Sequence, residues 1–187
     1  MTDTFRQHLA NNGFGPAEIA DTLKAAETIT IASHTPLIEQ DADANSLYFV
    51  VRGICHGAYL TDDGKQYSKE FYWEGDWIIG FESLIRQQPL PFLIESIESC
   101  QLVRLPIRWL TQLRRQCHPF YLNLVETQLC HKENKERFML LNTPESRYRR
   151  FCQDYPRLLT RLSDYQIAAY LGITPISLSR IKKRLSS

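Results

Sequence analysis

Three helix-boundary signals near the end of the chain constrain its fold more tightly than any other stretch. Ser163 and Gln166 have the spacing of a capping box at a helix N-terminus. Gly172 suits the positive φ that ends a helix, and Thr174-Pro175 provides an N-cap followed by proline in a first turn. The pattern predicts two short helices, over about 164–171 and 175–185, joined by a tight turn.

Apolar residues on both predicted helices recur at intervals of three and four. Ile167 and Leu171 share one face of the first helix, and Leu178, Ile181 and Leu185 share one face of the second. Two helices packed across a glycine-containing turn are typical of a helix-turn-helix, whose second helix enters the DNA major groove. The alternative, two helices of an ordinary bundle, leaves the charge of this segment unexplained.

Basic residues are concentrated at this end of the chain. Residues 147–187 contain nine Lys or Arg and two Asp, a net charge of +7, so the rest of the +1 chain carries −6. Such asymmetry predicts binding of a polyanion. The predicted DNA contacts are Ser163, Thr174, Ile176, Ser177, Arg180, Lys182, Lys183 and Arg184. Arg180 is the candidate for base recognition, because a guanidinium can donate two hydrogen bonds to guanine.

The first half of the chain has a different periodicity. Short apolar or alternating runs, broken by turn residues, occupy residues 28–104, and Asp62-Asp63-Gly64-Lys65 predicts a hairpin between two of them. Many short strands predict a β-roll, barrel or sandwich. Helical patterns cover the first 27 or so residues and 106–115, which makes the chain α+β.

A longer helix is predicted from Pro119 to about Leu141. Apolar residues near heptad spacing favour a dimer seam over a globular core, and the predicted seam residues are Phe120, Leu124, Val125, Leu129, His131 and Phe138. Asn142-Thr143-Pro144 breaks the helix and is the predicted domain boundary.

The remaining composition argues against several classes of protein. The five cysteines are widely spaced without a CxxC pair, and the five histidines are scattered, so no metal site or cofactor is predicted. Buried free thiols are the simpler interpretation of the cysteines, with a redox pair as the alternative. Glu82, His56 and Cys55 have no nucleophile–base spacing, and the chain is predicted not to be an enzyme.

Targeting and membrane signals are missing from the sequence. No run approaches the roughly 20 apolar residues that span a bilayer, and the first residues lack a basic region followed by an apolar one. A cytoplasmic protein without membrane contact is expected.

With these motifs the chain resembles the Crp/Fnr family of bacterial transcription regulators over nearly its whole length. The resemblance rests on Ser46–Gly53, Asp62–Lys65, Glu74–Gly80 and Tyr165–Pro175. It implies a cyclic-nucleotide-binding-like antiparallel β-roll of the jelly-roll type at 1–118, a dimerisation helix and hinge at 119–142, and a helix-turn-helix domain at 143–187 without a full wing. It also implies a homodimer on double-stranded DNA, with RNA polymerase as a further candidate partner.

The sequence departs from cAMP-binding members of that family at the expected ligand pocket. The segment Gly80-Phe81-Glu82-Ser83 has its carboxylate one place late, and Leu90-Pro91 falls where those members have the Arg-Ser pair that binds the cyclic phosphate. An unpaired buried phosphate is costly, so no cAMP binding is expected. The residues Trp77, Gly80, Phe81, Glu82, Ser83, Pro91 and Phe92 either fill the pocket or line one for an apolar effector.

A second functional hypothesis follows from this pocket. The protein could be a small-molecule sensor or regulatory module whose β-roll binds an apolar effector or a partner protein. A ligand that shifts thermal stability, combined with failure to bind genomic DNA, would favour it.

Overall fold

A computed structural model describes residues 2–185, which form eight helices and eight strands. The helices are α1 Thr2–Asn11, α2 Pro16–Ala25, α3 Phe81–Arg86, α4 Ile107–Arg115, α5 Pro119–Leu141, α6 Pro144–Asp154, α7 Asp164–Leu171 and α8 Pro175–Leu185. The strands are β1 Glu27–Ile31, β2 Pro36–Ile38, β3 Ser46–Arg52, β4 Cys55–Leu60, β5 Gln66–Tyr72, β6 Trp77–Ile78, β7 Leu93–Ser96 and β8 Cys100–Pro106. The predicted α+β class with an antiparallel, strand-rich first half is confirmed. The last two residues of the predicted 143–187 domain, Ser186 and Ser187, lie outside the described residues.

The strands form two four-stranded sheets, in the orders β1-β8-β3-β6 and β2-β7-β4-β5. Strand β8 lies between β1 and β3 and is antiparallel to both, with Glu27 opposite Arg104 and Ser46 opposite Pro106. The register of β3 against β8 shifts between Val50 and Arg52. Such a bulge bends a strand, and here it precedes the turn into β4.

Strand β3 is buried on both faces because its successive side chains enter two different cores. Leu47 and Phe49 belong to a cluster that includes Phe5 of α1 and Leu110 of α4. The alternate side chains of β3 belong to a second cluster, to which both sheets contribute; its members are Ile38, Tyr48, Val50, Cys55, Tyr72, Ile78, Leu90, Phe92, Ile94, Cys100 and Leu102. The second cluster therefore lies between the sheets, and the first lies beneath the helices.

Two indole hydrogen bonds fix the N-terminal helices, one to strand β6 and one to helix α4. Trp77 Nε1 lies 3.0 Å from His8 Nε2, and Trp109 Nε1 donates to the Thr22 hydroxyl at 3.0 Å. The two indole rings stack with their centroids 5.6 Å apart. Burial lowers the pKa of His8, so the neutral imidazole is favoured and its Nε2 can accept the hydrogen bond from the Trp77 N–H.

The chain divides into two compact units. The first comprises the chain up to Leu60 together with Glu70–Val125, and the second comprises Thr61–Lys69 and the chain from Glu126 onward. Helices α6, α7 and α8 belong to the second unit, and its buried apolar side chains are Phe151, Leu158, Leu162, Ile167, Ala168, Leu171, Leu178 and Ile181. No helix within residues 2–185 combines the length and apolar character needed to cross a membrane.

Candidate nucleic-acid interface

Helix α7 begins and ends where the sequence predicts. The Ser163 hydroxyl accepts the Gln166 N–H at 3.3 Å, and Gln166 Oε1 accepts the Ser163 N–H at 2.8 Å. At the other end Gly172 has a φ of 65°, and the Ile173 N–H donates to the Ala168 carbonyl at 3.0 Å. The predicted capping box and glycine terminator are both confirmed.

Helix α8 starts at Pro175, three residues after Gly172. Thr174 Oγ1 accepts the Ser177 N–H at 3.1 Å and lies 2.9 Å from the Ser177 hydroxyl. Pro175 occupies the first turn, where its missing N–H costs no hydrogen bond. The turn between α7 and α8 therefore consists of residues 172–174 alone, which fixes the direction of α8 closely.

The apolar faces of α6, α7 and α8 pack together, and this packing decides which face of α8 meets solvent. Six side chains form the contact, none more than 4% exposed: Phe151, Ile167, Ala168, Leu171, Leu178 and Ile181. On the opposite face of α8, Ile176 is 67% exposed, and Ser179 and Arg180 are also exposed. Ile176 and Arg180 are therefore exposed side chains that take no part in this core.

Ion pairs engage two of the cations predicted to contact phosphate. Lys182 pairs with Asp164 and joins α8 to α7, and Arg184 Nη2 lies 3.2 Å from Glu145 Oε2 of α6. Sequence counts could not reveal these pairs, because they join residues 18 or more positions apart. Arg180 forms no ion pair with any residue that the structure describes. Lys183 is exposed, whereas the Ser163 and Ser177 hydroxyls serve as hydrogen-bond partners within the caps.

Two further cations, which the sequence patterns did not single out, hold the C-terminal end of α7. Arg147 Nη1 donates to the Leu171 carbonyl at 2.6 Å, and Lys135 Nζ donates to the Tyr170 carbonyl at 3.3 Å. The ammonium of Lys135 also lies 2.9 Å from the centroid of the Tyr170 ring. Cations at a helix C-terminus satisfy unpaired carbonyls and oppose the negative end of the helix dipole. The one sequence signal for this contact was Arg147, a basic residue one turn into α6, and the overall charge count did not distinguish it from the other cations.

Helix α5 has the predicted length, but the residues predicted to form a dimer seam divide between two faces. Phe120 is 3% exposed and packs against Phe14, with ring centroids 5.1 Å apart, and Leu124 packs against the same cluster. The core of the first unit buries Phe120 and partly covers Leu124, which leaves little of either side chain for a dimer seam. Val125 and Phe138 are half-buried, whereas Leu129 and His131 are exposed.

Three of the four exposed leucines of α5 form another stripe, and the fourth, Leu141, lies about 100° from Leu122 around the helix. Leu122, Leu129 and Leu140 are 57%, 56% and 74% exposed. Their spacings of seven and eleven residues place them within about 20° of one line along the helix, since each residue turns it by about 100°. His131 lies about 180° from Leu122, on the opposite face.

The residues predicted to line an effector pocket are not brought together around a shared space. Trp77 belongs to the core beneath the helices, whereas Phe92 belongs to the core between the sheets. Leu90 is fully buried, and a Cβ at Gly80 would lie 2.5 Å from its Cδ1. Leu90 and Phe92 are thus packed among aliphatic and aromatic side chains.

The other predicted pocket residues surround α3 without converging. Glu82 is exposed, with its Oε1 3.5 Å from Arg86 Nη1. Ser83 is buried, and its hydroxyl donates to the Gln88 carbonyl. Phe81 is half-buried against the Tyr121 ring, and Pro91 is half-buried.

A cavity of about 580 Å³ lies instead beside α3 and α4, within the first unit. It is lined by Asp43, Ala44, Asn45, Ser83, Leu84, Gln87, Gln88, Ile107, Thr111, Arg114 and Arg115. Among the predicted pocket residues, Ser83 alone contributes to this lining. The sequence signal that could have indicated it is α4 itself, which carries three arginines and no acidic residue within an otherwise acidic half of the chain.

Comparisons with known proteins agree with this fold. Residues 28–117 match the cyclic nucleotide-binding domain family. No curated protein sequence matches the chain. Among solved structures, the chain is similar to FixK2 from Bradyrhizobium japonicum, with 20% identity, a TM-score of 0.75 and coverage of 86% of this chain and 84% of that one.

Two further structures show the same likeness. CLP, a c-di-GMP responsive global regulator of Xanthomonas campestris, has 18% identity and a TM-score of 0.68, over 89% of this chain and 91% of that one. A CooA mutant from Carboxydothermus hydrogenoformans has 16% identity and a TM-score of 0.70, over 89% and 78%. At these identities the likeness establishes a shared fold, with the cyclic nucleotide-binding domain at residues 28–117.

Proposed function

We propose that the protein is a homodimeric, sequence-specific, DNA-binding transcription regulator of the Crp/Fnr type. The observation that carries the proposal is the outer face of α8, which presents Ile176, Ser179 and Arg180 to solvent in the most cationic part of the chain. The fold shared with FixK2 and CLP, over 84% and 91% of those chains, supports the same role. In this assignment residues 1–118 are the sensor, 119–142 the dimerisation helix and hinge, and 143–187 the DNA-binding domain.

The roles on α8 follow from the chemistry and exposure of each side chain. Arg180 can bind guanine with two hydrogen bonds, and Ile176 can contact a thymine methyl group. Thr174 and the first N–H groups of α8 suit a phosphate, as does Lys183. Lys182 and Arg184 contribute positive charge but also hold α8 to α7 and α6 through their ion pairs. Ser163 and Ser177 would reach DNA only as secondary contacts.

The leucine stripe of α5 is the surface proposed to pair with a second copy. Leu122, Leu129 and Leu140 replace Phe120 and Leu124 as the main seam residues, with Val125 beside them. Two paired α5 helices would place two α8 helices on successive major grooves, roughly 34 Å apart, so the DNA site should be close to palindromic. RNA polymerase is the further partner that such a regulator implies.

Control by cAMP is not part of the proposal. By the sequence resemblance Leu90 falls where a cyclic phosphate would need a counter-charge, and its side chain lies in an apolar cluster. Arg86, the nearest preceding arginine, is exposed and paired with Glu82. We expect no shift in the unfolding temperature of the full-length protein with millimolar cAMP. A reproducible upward shift would show that the pocket opens for the nucleotide.

The central experiment is selection of genomic DNA fragments by the purified protein, followed by sequencing. A shared, near-palindromic sequence is expected, with affinity that falls steeply as salt rises. Arg180→Ala should lose about 1–3 kcal/mol and relax selectivity at one base position. Arg180→Lys keeps the charge but cannot donate as a planar pair, so it should relax the same position while preserving the salt dependence. Unchanged affinity and base preference in Arg180→Ala would remove Arg180 from its role, and bound fragments without a common sequence would reject the function.

The dimer can be tested separately by sedimentation. Leu129→Glu places a carboxylate in the leucine stripe and should shift the protein toward monomer. His131→Glu introduces the same group on the opposite, exposed face of α5 and is the matched control. Equal behaviour of the two variants would exclude the leucine stripe as the seam.

A further inference from the structure

The cavity beside α3 and α4 has the character of a ligand site that neither the family match nor the proposed DNA contacts explain. Its volume of about 580 Å³ lies within the range of small-molecule pockets. Eight of its eleven lining residues are polar or charged, so its chemistry differs from the apolar packing between the sheets. All of its lining residues belong to the first unit.

Two arginines give the cavity a cationic side. Arg114 and Arg115 lie in the last turn of α4, and both are exposed. Neither guanidinium forms an ion pair with any residue in the range 2–185. The chain before Arg147 carries a net charge of −6, yet these two guanidiniums line a single concavity, and the Asp43 carboxylate in the same lining forms no ion pair with them. Adjacent guanidiniums bind phosphate and carboxylate groups through charge-assisted, often paired, hydrogen bonds.

The remaining lining supplies groups of the complementary kind. The Asp43 carboxylate accepts hydrogen bonds and can hold an ammonium group, and the amides of Asn45, Gln87 and Gln88 both donate and accept. A simple inorganic anion would leave these groups unused. A molecule with an anionic end and a hydroxyl- or amino-bearing end uses both sides.

The backbone around the cavity is fixed by hydrogen bonds. The Asn45 carbonyl accepts the Ile107 N–H at 2.9 Å, which joins the segment before β3 to α4. Gln87 has a φ of 54°, and its N–H donates to the Ser83 carbonyl at the end of α3. A non-glycine residue in the left-handed region is held there by its surroundings, and such positions often occur at functional sites. A pre-formed wall reduces the entropy lost when a ligand binds.

We propose that this cavity binds a small polar metabolite whose phosphate or carboxylate contacts Arg114 and Arg115 and whose hydroxyl or ammonium groups contact Asp43 and the neighbouring amides. Arg115 lies four residues before the first residue of α5, so a bound ligand would contact the chain next to the junction of α4 with the long helix. The site is separate from the packed interior between the sheets.

The test is titration calorimetry of the full-length protein with four probes: glucose 6-phosphate, L-glutamate, inorganic phosphate and glucose. We expect binding of glucose 6-phosphate or L-glutamate, whichever matches the cavity, and no binding of glucose. Comparison of glucose 6-phosphate with L-glutamate identifies the anionic group that binds as phosphate or carboxylate. Binding of inorganic phosphate with equal affinity would indicate an adventitious ion only and would overturn the proposal. A lack of heat with every probe at about 10 mM would also overturn it, because the dissociation constants would then lie above the millimolar range.

Three variants locate the binding site. Arg114→Gln/Arg115→Gln should weaken the organic anion at least about tenfold, the loss of one or two charged hydrogen bonds. Arg108→Gln removes a charge from the same helix outside the lining and should leave affinity unchanged. Asp43→Asn should weaken the organic anion while leaving inorganic phosphate binding equal or stronger. Unchanged affinity in the double variant, with native circular dichroism, would place the ligand elsewhere. DNA binding is measured without these probes, so the two proposals can fail independently.

Discussion

Arg147 of α6 donates a 2.6 Å hydrogen bond to the carbonyl of Leu171, the last residue of α7. The turn into α8 starts at the next residue, so this bond sets the point at which the chain turns toward the proposed DNA-reading helix. Arg147 Nε is buried and has no hydrogen-bond partner among the described residues. A buried guanidinium nitrogen without a partner opposes folding, and the Leu171 bond offsets that cost.

Arg147→Ala should therefore destabilise the second unit by about 1.5–3 kcal/mol, the range for a hydrogen bond to a charged group. Arg149→Ala removes the same charge from the same helix, but Arg149 is exposed and pairs with Glu145 only across one helical turn. That variant should cost about 0.5 kcal/mol or less. Denaturant unfolding, with hydrogen exchange at the α7 and α8 amides, measures the difference. Equal losses in the two variants would mean that Arg147 acts through its charge alone.

Gly53→Ala should destabilise the first unit by more than about 3 kcal/mol, combining steric overlap with strain. Gly53 has a φ of 106°, and a Cβ there would lie 2.8 Å from Cys100 Cα and 2.9 Å from the Ser99 carbonyl oxygen. Backbone atoms of a paired strand cannot move aside cheaply. Gly64→Ala is the control, because Gly64 has a φ of 77° with nothing within 4 Å, and it should cost about 1 kcal/mol. Thermal unfolding of both variants separates the contact from the strain.

Stability should fall as the pH is lowered below 6.5, in part because of His8. Burial lowers the pKa of His8 from 6.5 in the folded protein, so the unfolded chain takes up the proton first. The stabilisation from neutral His8 is full above pH 6.5 and is lost as the pH falls through the lowered folded-state value. His8→Gln cannot titrate and can still accept from Trp77, so its stability should change less between pH 7 and 5. Parallel pH curves for the two proteins would show that His8 does not contribute.

The cysteines should separate into reactive and protected groups. Cys117 and Cys130 are exposed, whereas Cys55 and Cys100 are fully buried with their sulfurs 3.8 Å apart. The hydrogen bond to Cys100 and burial raise the pKa of Cys55 far above the ordinary thiol value, so little nucleophilic thiolate forms. A disulfide reagent at pH 8 should label the exposed pair in the native protein and the buried pair only after unfolding. Mass spectrometry identifies the labelled peptides, and a Cys55–Cys100 disulfide after mild peroxide treatment would instead support the redox alternative.

The parts of the fold that sequence could predict are those governed by local chemistry. Ser163, Gly172 and Thr174 each satisfy or terminate a helix end within four residues of their own position, so the ends of α7 and α8 follow from the sequence alone. The pattern of short runs over residues 28–104 does not resolve the strands β2, β6 and β7 or the six-residue helix α3. They are short, and distant partners determine them, as where Tyr48 pairs with Ile78.

The α5 helix illustrates the limit for the candidate site. Its apolar residues fit a helical period on two faces, and the period cannot say which face the rest of the chain will cover. The face that becomes buried is set by Phe14, which packs against the Phe120 ring although it lies more than 100 positions away in the sequence. The cavity arginines were missed for a similar reason, because residues from 43 to 115 meet there only after folding.

The pairing of β1 with β8 also orders the events of synthesis. Glu27 faces Arg104 across 77 residues, so the first strand of the β-rich unit finds its neighbour only after residue 104 has left the ribosome. Until then the apolar strand β3, which is covered on both faces in the finished protein, has only the two-residue strand β6 as a neighbour, and its other edge stays unpaired and prone to association. Helices α6 to α8 need only contacts within about 40 residues and can assemble as they emerge. A translational pause before β8 would thus expose β3 to chaperones for longest.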